Sequence, residues 1–155
     1  MAEDDVDFAV AAYRDEGVWQ LAELHSTLAE DIDDLLHALK RFPSEVGVLA
    51  LVSVSDEFFV IVRMIGSKVR LLLSDITAVG DWSLASGVAD ILDVPDPEED
   101  DDPQPAGDLD IVSDLGMHAI ELGVLCDDPE LYPEDILVDV ARRLGFGDDF
   151  EAIIG

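Results

Sequence analysis

A chain of 155 residues that is 49% hydrophobic has the material for one compact domain, or one domain with a small appendage, and is not a wholly disordered polymer. Thirty-seven Asp and Glu face eight Lys and Arg, giving a formal net charge of -29 and a pI near 4.1. Such a field repels phosphate backbones and anionic bilayers, which argues against direct binding of nucleic acid or a membrane surface.

The first segments read as strands around one helix. Residues 7–13 (DFAVAAY) and 18–24 (VWQLAEL) flank Arg14-Asp15-Glu16-Gly17, a polar turn with glycine, and this pattern predicts a hairpin. In 31–42 (DIDDLLHALKRF), Ile32, Leu35, Leu36 and Leu39 recur at helical spacing. Asp31 is placed to cap that helix, Lys40 and Arg41 lie at its cation-favouring end, and Pro43 blocks its continuation. Residues 46–54 (VGVLALVSV) are apolar on both faces, as a central strand covered on both sides should be. Two further strands, 57–65 and 69–73, are joined at Gly66-Ser67.

Residues 76–92 read as one helix interrupted near Gly80 or Gly87. Residues 93–107 (DVPDPEEDDDPQPAG) hold four of the seven prolines, with seven acids inside ten residues, and predict an extended, mobile linker. Helical periodicity then returns. Asp108 is placed to cap a helix over 109–115, a second short helix is expected over 117–125, and Pro133 opens a third. The third presents Ile136, Leu137, Val140, Ala141 and Leu144 on one face and stops at Gly145.

The fold class expected is α+β: an antiparallel five-stranded sheet with packed helices, an acidic linker and a small C-terminal helical module. The strand order along the chain is that of the longin and roadblock-like folds, a likeness of topology alone. The expected division is 1–92 for the sheet domain, 93–107 for the linker and 108–155 for the helical module. That module is near the lower size limit for independent stability, so it is expected to dock on the sheet or on a partner.

No catalytic constellation emerges. There is no P-loop, dinucleotide-binding glycine pattern or GxSxG elbow. His25, His37 and His118 are scattered without metal-ligand spacing, so no metal and no cofactor are expected. Cys126, the one cysteine, rules out an internal disulfide and reads as a small buried thiol beside Val124 and Leu125. The run Glu98-Glu99-Asp100-Asp101-Asp102 lacks the glycine and alternating ligands of a calcium loop, so a solvated charge block is its default reading. An acidic N-terminus and the absence of a long apolar run make the expected location cytoplasmic.

The charge has three bland explanations: solubility, salt adaptation, and drift in a GC-rich genome. Its distribution favours a partner or a solvated linker, since no Lys or Arg occurs between Arg70 and Arg142. Trp19 and one of Phe58 and Phe59 read as core. Trp82 and Tyr132, beside acidic or proline-containing stretches, join Glu98, Glu99, Asp100, Asp101 and Asp102 as candidate partner contacts.

Several strings carry a resemblance. They are Asp56-Glu57-Phe58-Phe59-Val60 with Val62-Arg63, Val69-Arg70-Leu71-Leu72-Leu73-Ser74-Asp75, and Pro105-Ala106-Gly107-Asp108-Leu109-Asp110-Ile111 after the acidic linker. They continue in Asp114-Leu115-Gly116-Met117, Leu125-Cys126-Asp127-Asp128, Leu131-Tyr132-Pro133 and Ala141-Arg142-Arg143-Leu144-Gly145-Phe146-Gly147. Together they resemble the actinobacterial tRNA adenosine deaminase-associated protein family, small acidic proteins with no assigned catalytic residues. The resemblance implies a link to the enzyme that converts adenosine to inosine at the wobble position. The chain is not itself that deaminase, whose zinc site needs HxE and PCxxC motifs, because one cysteine cannot supply the second. A non-catalytic accessory that meets a basic partner, a tRNA adenosine deaminase, is the expectation. The alternative is a homodimeric interaction module for a different partner, and the third choice is an unrecognised enzyme using magnesium at its acidic clusters.

Overall fold

A computed structural model describes residues 6–42, 47–66, 68–80, 82–94, 104–128 and 130–154. Six strands form one antiparallel sheet: β1 (Val6–Asp15), β2 (Val18–Glu23), β3 (Val48–Val54), β4 (Phe58–Ile65), β5 (Lys68–Leu73) and β6 (Ala106–Gly107), in the order β2-β1-β3-β4-β5-β6. Five helices accompany them: α1 (Ile32–Leu39), α2 (Ser83–Leu92), α3 (Ala119–Asp127), α4 (Pro133–Leu144) and α5 (Gly147–Ile154).

The sheet has six strands where the composition of 93–107 suggests none beyond the fifth. Within that segment Ala106 and Gly107 pair with Leu73 and Leu72, and Gln104 accepts the Ile76 amide at 2.8 Å. The edge of β5 offers backbone groups that need partners, and this short strand supplies them. Residues 95–103, with the acidic run 98–102, lie outside the described residues, as do Pro43 and Ser67. Along the chain the first elements follow the expected order, strand, strand, helix, then three strands.

Every residue of β3 is buried, as expected for a strand covered on both faces. Alternate residues feed two cores. Val48, Ala50, Val52, Phe58, Val60 and Val62 pack with Ile32, Leu35 and Leu39 of α1 and with Leu84 and Val88 of α2. Leu49, Leu51, Phe59, Ile61 and Leu72 pack on the other side with Ile136, Leu137, Val140 and Leu144 of α4 and with Phe150 of α5. Phe58 and Phe59 therefore face opposite layers, and both are buried rather than one of them.

Local signals explain most boundaries. Asp31 caps α1 by accepting the Asp33 amide at 2.8 Å. The stretch 76–92 divides at Gly80, whose φ of +98° no other residue adopts cheaply, into a 3-10 turn at Ile76–Ala78 and α2. Gly87 is no interruption. It is where α2 meets α1, since a Cβ there would lie 2.5 Å from Ile32 Cγ2.

Two expectations fail in the C-terminal part. Residues 109–115 form turns and a short 3-10 segment at Ser113–Leu115 instead of a helix capped by Asp108. The Asp108 carboxylate is engaged elsewhere, by Arg70. Helix α5, past the Gly145 stop, is an addition: Gly145 adopts a left-handed φ of +109°, closes α4, and lets Phe146 turn back into the core.

Candidate partner interface

Two clusters of polar side chains stand out, one at each end of the sheet. At the end where β4 begins and β5 finishes, a cleft of about 440 Å³ is lined by Glu57, Phe59, Ser74, Asp75, Asp127 and Leu131, with Cys126, Asp128, Pro133 and Ile136 completing its wall. Its floor is apolar and its rim is acidic: Glu57, Asp127 and Asp128 are exposed. The β3–β4 hairpin presents Glu57, because Ser55 and Asp56 take the left-handed conformations of a tight turn and Glu57 N–H closes it on Val54 O at 2.9 Å. Asp75 is held by the Thr77 amide at 2.9 Å and the Thr77 hydroxyl at 2.6 Å. An apolar floor under a carboxylate rim suits a Lys or Arg side chain, whose stem is greasy and whose head is charged.

Cys126 lies in this wall, but its chemistry is that of a packed thiol. Burial, reinforced by the neighbouring Asp127, pushes its pKa up to about 11, so the thiolate is disfavoured at neutral pH. Among the described residues no group of three or more His, Cys, Asp or Glu is placed to hold a metal ion.

Tyr132 sits beside the cleft between two of its lining residues, 61% exposed, at the start of α4. Its backbone N–H donates to the Asp135 carboxylate at 3.1 Å, which leaves the ring facing solvent. Trp82 is on the other layer, half-buried against Phe58 with ring centroids 5.9 Å apart. It lines a separate hollow with Asp31, Asp33 and Asp90. The two aromatics thus flank the same end of the sheet from opposite faces, one through Phe58 and the other beside Phe59. Gln104, the first described residue after the acidic run, is anchored at Ile76, next to Asp75.

Arginines dominate the opposite end. Arg63 and Arg70 are direct cross-strand partners on β4 and β5, an arrangement that repels unless acids intervene. The segment following β6 supplies them. Arg63, 2% exposed, donates to both Asp114 carboxylate oxygens at 2.5 and 3.0 Å and to Ile111 O at 3.0 Å. Arg70 donates to Asp108 at 2.7 Å and to Asp110 at 2.7 Å. The Arg63 guanidinium holds the Asp114 carboxyl below the ordinary carboxylate range, and Arg70 does the same for Asp108. Asp110 moves the other way because the Asp108 carboxylate lies against it. This clasp fastens residues 108–114 across the sheet.

Sequence reasoning passed over the clasp. An arginine within the apolar string VIVRMI was the available signal, since a charge at a buried strand position must find a partner. Trp19, read as core, is half-buried: it packs on Phe146 at 4.9 Å and donates from Nε1 to Leu144 O at 3.0 Å.

The strings that carried the family resemblance converge on these two places. Glu57, Phe59, Ser74, Asp75, Cys126, Asp127, Asp128, Leu131 and Pro133 line the cleft, while Arg63, Arg70, Asp108, Asp110 and Asp114 make the clasp. Gly116 has a packing reason: a Cβ there would come within 2.7 Å of Arg143 O.

Comparison with known proteins agrees. The model of the Rv3753c-like tRNA adenosine deaminase-associated protein family matches residues 7–147. Protein Rv3753c of Mycobacterium tuberculosis (strain ATCC 25618 / H37Rv) is 41% identical over 150 residues, covering 95% of this chain and 87% of the relative. No solved structure matches. No helix among the described residues is long and apolar enough to cross a membrane. With the match spanning both the cleft and the clasp, the chain belongs to the Rv3753c-like tRNA adenosine deaminase-associated protein family.

Proposed function

We propose that this protein is a non-catalytic accessory that binds a tRNA adenosine deaminase and modulates or stabilises it. The observation that carries the reading is family membership, whose name records the association. Charge gives it a physical form. An enzyme that holds tRNA needs a basic surface, and a chain of net charge -29 is its electrostatic complement. The contact surface proposed is the sheet end that carries the acidic cleft, with Tyr132 on one layer, Trp82 on the other and residues 98–102 as a further acidic element. Lys or Arg side chains of the partner would lay their stems on Phe59 and Leu131 and their charges against Glu57, Asp127 and Asp128.

The test is direct binding of the purified deaminase from the same organism, measured at low and high salt. The full chain is expected to bind at low salt and to weaken steeply as salt rises. Glu57→Gln with Asp127→Asn weakens binding if the cleft is the contact, and a neutral Gly-Ser replacement of 98–102 weakens it if the acidic run is. Absence of binding to the deaminase at any salt concentration would overturn the reading.

A further inference from the structure

Helix α3 is poorly absorbed by the fold. Leu122 is its one fully buried residue, whereas Ile120 is 82% exposed and Val124 63% exposed. These two lie one turn apart on the same helical face, so they form a short aliphatic ridge. Beside the ridge runs a groove of about 560 Å³ between α3 and α4, with Met117 and Leu125 in its apolar lining and Glu121, Asp139, Arg142 and Arg143 at its edges. Arg143 donates to Glu121 from α4 to α3.

We propose that this groove is the contact surface of a symmetric dimer, each copy laying its Ile120–Val124 ridge into the groove of the other. Charge selects this occupant. The groove is edged by two acids and two arginines, which cancel, in a chain whose net charge is -29. Arg142 and Arg143 are the only Lys or Arg in the sequence after Arg70. Two like-charged copies repel wherever acid meets acid, so they come together where local charge is balanced and apolar area is on offer. A basic partner has the opposite preference, since it is drawn to the acidic cleft and turned away by two arginines. A two-fold contact also places each patch against itself, and this patch supplies both halves of what is needed: ridge and groove, carboxylates and guanidinium groups.

The dimer is distinguished from the deaminase contact by the sign of its salt dependence. Salt screens the repulsion between two strongly acidic copies, so dimerisation strengthens as salt rises while binding to a basic partner weakens. Sedimentation equilibrium of the full chain at low and high salt measures this. The expected result is a monomer–dimer equilibrium that tightens with salt, with a dissociation constant raised at least about tenfold by Ile120→Glu with Val124→Glu. Val18→Glu, at an exposed aliphatic position on β2, is expected to leave it unchanged. Arg142→Glu, which unbalances the patch without touching the ridge, is expected to weaken the dimer as well and covers the case in which the double variant folds poorly by circular dichroism. A monomer under all conditions, or a dimer indifferent to both Ile120→Glu/Val124→Glu and Arg142→Glu, overturns the proposal.

Discussion

On one face of the sheet, α1 and α2 close over Val48, Ala50, Val52, Phe58 and Val60 with Ile32, Leu35, Leu84 and Val88, and every buried member of that cluster is apolar. On the other face, α4 and α5 close over Leu49, Leu51, Phe59 and Ile61, but the strands also carry Arg63 and Arg70, and the chain returns to them through Asp108, Asp110 and Asp114. The first layer is built from segments close in sequence to the strands they cover. The second arrives after an acidic, proline-rich stretch and is fixed by ion pairs at one end of the sheet. Apolar burial supplies the bulk of the attraction in both layers, and the clasp adds direction, because a bidentate guanidinium–carboxylate pair is satisfied in one register only.

Removing the second layer gives the largest expected effect. A chain ending at residue 107 would expose Leu49, Leu51, Phe59, Ile61 and Leu72 together and leave Arg63 without Asp114. It is expected to aggregate or to remain uncooperative in thermal unfolding. A soluble, sharply melting 1–107 fragment would show instead that the sheet and the helical module are separate folding units.

The adjacent pair Phe58 and Phe59 compares the layers within one strand. Each is fully buried, so Phe58→Ala and Phe59→Ala should each cost about 4 kcal/mol in chemical denaturation. If the layers unfold as one unit, both variants shift a single transition. Two transitions in Phe59→Ala alone would mean that the helical layer detaches first.

The clasp comes next. Asp114→Ala leaves the Arg63 guanidinium buried with the Ile111 carbonyl but without its carboxylate, an expected cost of about 3 kcal/mol. The matching exposed pair, Arg142 with Glu151, should give less than about 1 kcal/mol when Glu151 is truncated. Equal effects at the two sites would deny the clasp any special role.

The contrast between the layers also explains what could be read from the sequence. The α1 face was legible because period and cap agree: Ile32, Leu35 and Leu39 mark the stripe and Asp31 marks its start. The doubly apolar β3 string correctly announced cover on both sides, yet nothing local said which helices would provide the second cover. Asp108 misled because a capping residue and an ion-pair acceptor look alike until Arg70, thirty-eight positions earlier, is brought beside it. The two-residue β6 escaped because its pairing depends on the edge of β5 and not on its own composition. The candidate site was half visible. Tyr132 was found by its flanks, but Glu57, Asp75 and Asp127 looked like any other acids until the fold gathered them.

A smaller effect sharpens the second layer at its other border. Trp19 reaches from β2 to the end of α4, donating to Leu144 O where a helix terminus leaves carbonyls without intrahelical partners. Trp19→Phe keeps much of the packing on Phe146 and loses that bond, so a cost of about 1 kcal/mol is expected in denaturant titration. A loss several times larger would assign Trp19 to the core proper.

The smallest effect is a pH dependence, and its sign separates the members of the clasp. Asp114 and Asp108 have folded pKa values below the usual 3.8, so each contributes stability that is present above about pH 4 and is lost as pH falls through the folded value. Asp110 has its pKa raised by the Asp108 carboxylate, so it takes up a proton first on acidification, which relieves a repulsion and favours the folded state. The stability difference between the parent chain and Asp114→Asn should therefore be flat from pH 7 to about pH 4 and shrink below it. The difference between the parent and Asp110→Asn should already change above that point, and in the opposite direction. Asp110 and Asp114 are both largely open to solvent, so added salt should flatten both curves; the Asp114 curve should keep more of its amplitude, because its partner Arg63 is buried.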